Sequence, residues 1–178
     1  MQKLILLTCF FMTTTVAFSQ EKAAVPAQDN PLSTFNKRAY GQMKDWLLRS
    51  AEKVPEQHYN FRPTEAVRSF SQIVGHVADV QYMFCSLARG EKNPGLKIEQ
   101  TKTTKADLIA ALKDAFVYCD QAYDSMTDAS GTQMVKLARS DTPKLSVLTV
   151  NLAHSALHYG NLVTYMRLKN IVPPSSER

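Results

Sequence analysis

The sequence predicts an all-α protein, a four-helix bundle. Four segments of roughly 20–25 residues repeat apolar side chains every three or four positions. Each opens on a helix-starting residue, and glycines and prolines lie between the segments. No stretch alternates apolar and polar side chains for long enough to suggest a sheet. Helices of that length joined by loops bury their apolar faces by packing as a bundle. The chain has 178 residues, 44% apolar and 21% charged, which fits one globular domain and excludes a disordered chain. Its net charge of +5 is spread out, with no run of Lys and Arg longer than two. That distribution is a solvated surface and argues against a nucleic-acid partner.

The first residues lie before the fold. Met1-Gln2-Lys3 carries one positive charge, Leu4 to Phe18 carries none, and Ala17-Phe18-Ser19 offers small residues for cleavage before Gln20. This is the layout of a secretory signal peptide over residues 1–19. A membrane anchor would need about 20 apolar residues, more than this stretch supplies. Lipid attachment at Cys9 would leave only Leu4 to Thr8 as its apolar region. The expected product is exported, periplasmic or secreted, with 159 residues and a net charge of +4. Residues 20–30 read as a flexible leader without apolar period, and residues 31–176 as the bundle domain.

Asn30 is the expected N-cap of the first helix, with Pro31 at the first position, where its missing N–H is no loss. Phe35, Tyr40, Met43, Leu47 and Ala51 form its apolar face, and Pro55 stops it. Ser69 opens the second helix, whose inner face carries Phe70, Ile73, Val74, Val77, Val80, Phe84 and Leu87 before Gly90 ends it. Thr104 to Asp107 resembles a capping box before Leu108, Leu112, Phe116, Cys119 and Tyr123. After Ser130-Gly131 a polar stretch with at most one helical turn is expected. The fourth helix starts at Pro143 or Lys144 and runs to about Asn170.

Leu145 to Met166 contains no Asp, Glu, Lys or Arg. Such a helix is a membrane span or is buried on most sides. Asn151, His154, His158 and Asn161 in its middle would be costly in lipid, so the expectation is a buried central helix and no membrane span. With His154 as reference, His158 lies about 40° away, Asn151 about 60° and Tyr165 about 20°. The second helix adds His76 on its inward side, with Asp79 nearby. Three imidazoles from two helices can hold one cation and leave a fourth position open. The same residues also fit hydrogen-bonded core histidines, and both readings stand on spacing alone. His-x-x-x-His here lacks the Glu of a zincin protease. Glycine-rich phosphate loops, Gly-x-Ser-x-Gly and Cys-x-x-Cys are absent.

Cys85 is about 180° from His76 around its helix, so it faces away from the histidines, and Cys119 falls on the apolar stripe of the third helix. Counted from their helix ends, the two cysteines differ in height by roughly 15 Å. That register opposes a Cys85–Cys119 disulfide.

Three separated stretches resemble the DinB-like (damage-inducible) family. Ser69-Phe-Ser-Gln-Ile-Val-Gly-His76-Val-Ala-Asp79 is similar to the family's second helix. His154-x-x-x-His158-Tyr-Gly-Asn161, followed by Leu162 to Pro174, is similar to its last helix. Tyr59-Asn-Phe-Arg-Pro63 is similar to the connection after its first helix. Together they span roughly residues 32–176. The resemblance implies a four-helix bundle holding one divalent metal ion through His76, His154 and His158. Zinc comes first, with nickel, iron and manganese as further candidates. It also implies a homodimer, common in the family, and a hydrolase or thiol-dependent transferase activity on a small molecule. Family members often carry His- or Arg-Gly-Gln where this chain has Tyr159-Gly160-Asn161.

Within that reading Asp79 and Tyr165 are candidate catalytic groups, and Asn151 is a candidate substrate contact. The alternatives are a metal- or ligand-binding bundle without turnover, and a structural bundle with core histidines.

Overall fold

The computed structural model describes residues 30–177. The expected signal peptide, and the leader up to residue 29, lie outside the described residues. Four long helices form the body: α1 (Pro31–Lys53), α2 (Phe70–Arg89), α4 (Lys105–Ser125) and α6 (Lys144–Leu168). Two short helices, α3 (Ile98–Thr101) and α5 (Asp128–Gly131), sit in the connections.

Local sequence sets most helix ends. Ser69 and Gln72 form a reciprocal capping box at the start of α2, satisfying two otherwise orphaned groups. Gly90 ends α2 with φ 74°, a left-handed backbone that glycine adopts without penalty. Thr104 accepts from the Asp107 N–H at the start of α4. Asn30 differs from expectation, because its side chain does not cap α1. The α1 cap comes from Asp128, which accepts from the Leu32 and Ser33 N–H groups.

The helix directions follow from contacts at the two ends. Tyr59 Oη donates to Ala51 O in α1, and the Ser71 N–H in α2 donates to Tyr59 O. Lys105, opening α4, donates to the carbonyls of Glu52 and Val54 at that same end. So α2 and α4 start together and run parallel, both antiparallel to α1. At the other end Asn36 donates to Thr149 Oγ1, which places α6 parallel to α1.

The core lies between the four helices and is built from Leu47, Phe70, Ile73, Leu108, Leu112, Phe116, Leu148, Leu162 and Met166. Fully burying side chains of this size contributes about 1.5–3 kcal/mol each. Tyr40 and Tyr123 stack with centroids 3.8 Å apart.

Several expectations are corrected. Cys85 and Cys119 are disulfide-bonded, with Cα atoms 5.3 Å apart. The opposing register assumed antiparallel neighbours, whereas the 90–104 connection returns along α2 and lets α4 start level with it. The polar stretch after Gly131 is a two-stranded antiparallel hairpin, β1 (Met134–Leu137) with β2 (Ser140–Pro143). These strands of four residues are too short for an alternating pattern to register. Phe35 is exposed. Helix α6 is not buried on most sides: Val150, Leu157 and Leu168 face outward, so its lack of charge marks an apolar outer face as well as a buried inner one. No described helix is long and apolar enough to cross a membrane.

Candidate metal centre

The capping box at Ser69 fixes where α2 begins, and His76 follows within the second turn on the side facing α6. Helix α6 runs antiparallel to α2, so its His-x-x-x-His pair presents both rings to His76. Ring centroids are 5.2 Å apart for His76–His154, 4.8 Å for His76–His158 and 4.5 Å for His154–His158. One ligating atom from each histidine can be chosen so that all lie within 4.8 Å of one another.

The chemistry of this donor set fits a metal ion. His76 Nε2 and His154 Nε2 are 3.3 Å apart, and two nitrogens at about 2.05 Å from a tetrahedral ion are separated by about that distance. Burial is the main cause that lowers the His158 pKa to about 4, followed by His154, His76 and Arg68, with Glu99 pulling the other way. Burial, His76 and Arg68 likewise lower His154. Imidazoles held neutral keep their lone pairs for a cation.

The other expected site residues take different places. Both oxygens of Asp79 are occupied, accepting from the Ile98 and Glu99 N–H groups at 2.8 and 2.9 Å. Asp79 therefore caps α3 and holds it against α2. Asn151 is fully buried, not at a surface a substrate reaches. Its amide donates to Gln81 Oε1 at 2.8 Å, and Gln81 donates to Ser155 Oγ at 2.9 Å. Tyr165 Oη donates to the Arg68 carbonyl at 2.8 Å, tying α6 to the segment before α2.

Two residues missed by sequence reasoning join the site. Glu99 Oε2 lies 3.1 Å from His76 Nδ1, and Glu99 Oε1 accepts from Arg68 Nε at 2.8 Å. Glu99 sits in a connection without apolar period, so spacing could not link it to the histidines. The available signal was Gly75, a mid-helix glycine of the kind that marks close approach. A Cβ there would lie 2.7 Å from Glu99 Cα.

Beside the histidines opens a cleft of about 480 Å³, with His158, Tyr165, Asn161, Thr64, Ile73 and Arg68 on its wall. Arg68 is the charged side chain among its lining residues.

An antiparallel helix pair carrying three converging histidines inside a four-helix bundle defines a class of fold, and the comparisons give it a family. The DinB superfamily model matches residues 39–162, and the chain belongs to that superfamily. It is 23% identical over 120 residues to the uncharacterized protein YjoA of Bacillus subtilis (strain 168), covering 66% of this chain and 77% of YjoA. The crystal structure of a DinB-like protein from Bacillus cereus ATCC 10987 superposes with a TM-score of 0.69 at 11% identity, covering 78% of this chain and 93% of that one. The crystal structure of YjoA gives 0.65 at 19% identity, covering 81% and 99%. A mycothiol-dependent maleylpyruvate isomerase shares the fold with a TM-score of 0.64 at 16% identity. That match covers 75% of this chain and 61% of the isomerase.

Proposed function

We propose that this chain is an exported metal-dependent enzyme of the hydrolase or thiol-transferase class, acting on a small molecule. The observation that carries the reading is the set of three imidazoles with ligating atoms within 4.8 Å, beside an open cleft. His76, His154 and His158 would hold one divalent ion, zinc first. When bound, such an ion supplies Lewis acidity toward a water or thiol in its open position.

The chain's own residues would do the rest. The Arg68 guanidinium faces the anionic part of a substrate in the cleft, and Asn161 and Thr64 offer polar contacts. Tyr165 holds the Arg68 segment in place through the backbone carbonyl. The fold shared with a mycothiol-dependent isomerase supports including a thiol co-substrate. The Cys85–Cys119 disulfide supports an oxidising compartment, in keeping with export. A homodimer belongs to the same proposal, motivated by the outward Val150, Leu157 and Leu168 of α6.

Metal analysis of protein purified without a histidine tag, beside His154→Ala, tests the site. About one ion per chain, largely lost in the variant, is the expected result. No uptake after incubation with zinc, nickel, iron and manganese would overturn it. A panel of esters, amides and electrophiles, with and without added thiol, then separates an enzyme from a binding bundle without turnover. Light scattering reads the dimer.

A further inference from the structure

We propose that Glu99 is a positioning residue for His76, fixing which ring nitrogen faces the site, and that α3 exists in its present seat to deliver it. The inference rests on the metal reading above for its consequence, but its geometry stands alone. A carboxylate only accepts hydrogen bonds. With Glu99 Oε2 3.1 Å from His76 Nδ1, the ring proton sits on Nδ1, and the Nε2 lone pair is left pointing at His154 Nε2, 3.3 Å away. A histidine anchored in this way presents a preset lone pair. Among the described residues His154 and His158 have no such anchor, since their buried Nδ1 atoms find no hydrogen-bond partner there.

Four features converge on the placement of Glu99. Asp79 accepts from the Ile98 and Glu99 N–H groups, Ile98 is buried against the core, and Arg68 fixes the second carboxylate oxygen. Gly75 supplies the fourth, because a Cβ there would come 2.7 Å from Glu99 Cα and 3.0 Å from its nitrogen. Backbone atoms cannot yield to such a contact as a flexible side chain can. The short helix is thus keyed to α2 one residue before the histidine it serves.

Long-range proton–nitrogen NMR of the metal-free protein reads the tautomer of each ring, and competition with a chromophoric chelator reads zinc affinity. The wild type is expected to show His76 as the Nδ1–H tautomer. Glu99→Ala should lose that preference and bind zinc about 10–100-fold more weakly. Glu99→Gln keeps the side chain's shape but offers one acceptor oxygen to two donors, His76 Nδ1–H and Arg68 Nε–H. It should hold the tautomer and the affinity only in part, whereas a merely structural role for the side chain predicts that both are retained. Gly75→Ala leaves Arg68, Glu99 and His76 in the sequence but should imitate Glu99→Ala by lifting α3. An Nε2–H tautomer in the wild type, or an unchanged tautomer in Glu99→Ala, would overturn the proposal. Gly75→Ala retaining both readouts would overturn the role given to the α3 seat. A wild type that binds no zinc counts against the proposed function, and the tautomers then decide Glu99 separately.

Discussion

Asn30 and Asp128 cap each other's helices. The Asn30 side-chain oxygen accepts from the Asp128 N–H at 2.8 Å, at the start of α5. The Asp128 carboxylate in return accepts from the Leu32 and Ser33 N–H groups and the Ser33 hydroxyl at the start of α1. Residues 98 positions apart in sequence thus satisfy orphaned donors of two helix N-termini at once. The pair also locks the entry of the bundle to the corner where α4 hands over to α6.

Removing this exchange should therefore affect more than one helix. Asn30→Ala is expected to cost on the order of 1 kcal/mol, and Asp128→Ala to destabilise further because three hydrogen bonds are lost. The double variant should cost less than the sum of the singles, since each removes part of the same exchange. Urea titrations of the four proteins check this, and strict additivity would count against reciprocal capping. Burial would raise the Asp128 carboxyl, but hydrogen bonds from Ser33 and Leu32 outweigh it and hold the group below its ordinary value. A depressed carboxyl adds stability that is present above the unfolded value and lost as pH falls through the folded one.

The disulfide makes a second prediction. Cys85 lies fifteen residues after Phe70 and Cys119 fourteen after Lys105, equal heights on two parallel helices. Closing a loop with a sequence separation of 34 should stabilise the fold by about 4 kcal/mol in the chain-entropy model. Both cysteines are fully buried, so reductant should act slowly on the folded protein. Thermal melts of the protein produced with and without the bridge, and of Cys85→Ala/Cys119→Ala, read the difference. Free thiols in protein isolated from an oxidising compartment, counted under denaturing conditions, would show that the bridge does not form.

Local signals carried the helices into view from sequence. Pro31, Ser69, Gly90, Thr104 and Pro143 each act within a few residues, so their effect survives without knowledge of packing. The meeting of His76, His154 and His158 was also legible, because helical periodicity fixes which side chains share a face. What stayed hidden depends on chain direction. Spacing within α2 and α4 cannot say whether they run parallel, and that single unknown inverted the reading of Cys85 and Cys119. Glu99 was hidden for a related reason, since the 90–104 connection carries no period and its path back along α2 is a tertiary fact. The outer face of α6 misled in another way. Absence of charge reports only that no ion is present, and it reads the same for a buried surface as for an exposed apolar one.

The third prediction concerns pH and the metal-free protein. Burial, then His154, His76 and Arg68, bring His158 from an ordinary 6.5 down to about 4, and His154 is lowered for similar reasons. Between about 4 and 6.5 the unfolded chain therefore binds more protons than the folded one, so stability rises with pH across that window. Above it both forms are neutral and the slope vanishes. Chelator-treated protein should melt at a steadily lower temperature as pH falls from 6.5 toward 4, beyond what the carboxylates contribute. His158→Leu should flatten part of that fall, because its side chain takes no proton in either state. Melting curves at half-unit pH steps, with and without the substitution, measure both effects. Equal pH dependence in the two proteins would show that His158 is not held neutral by its surroundings.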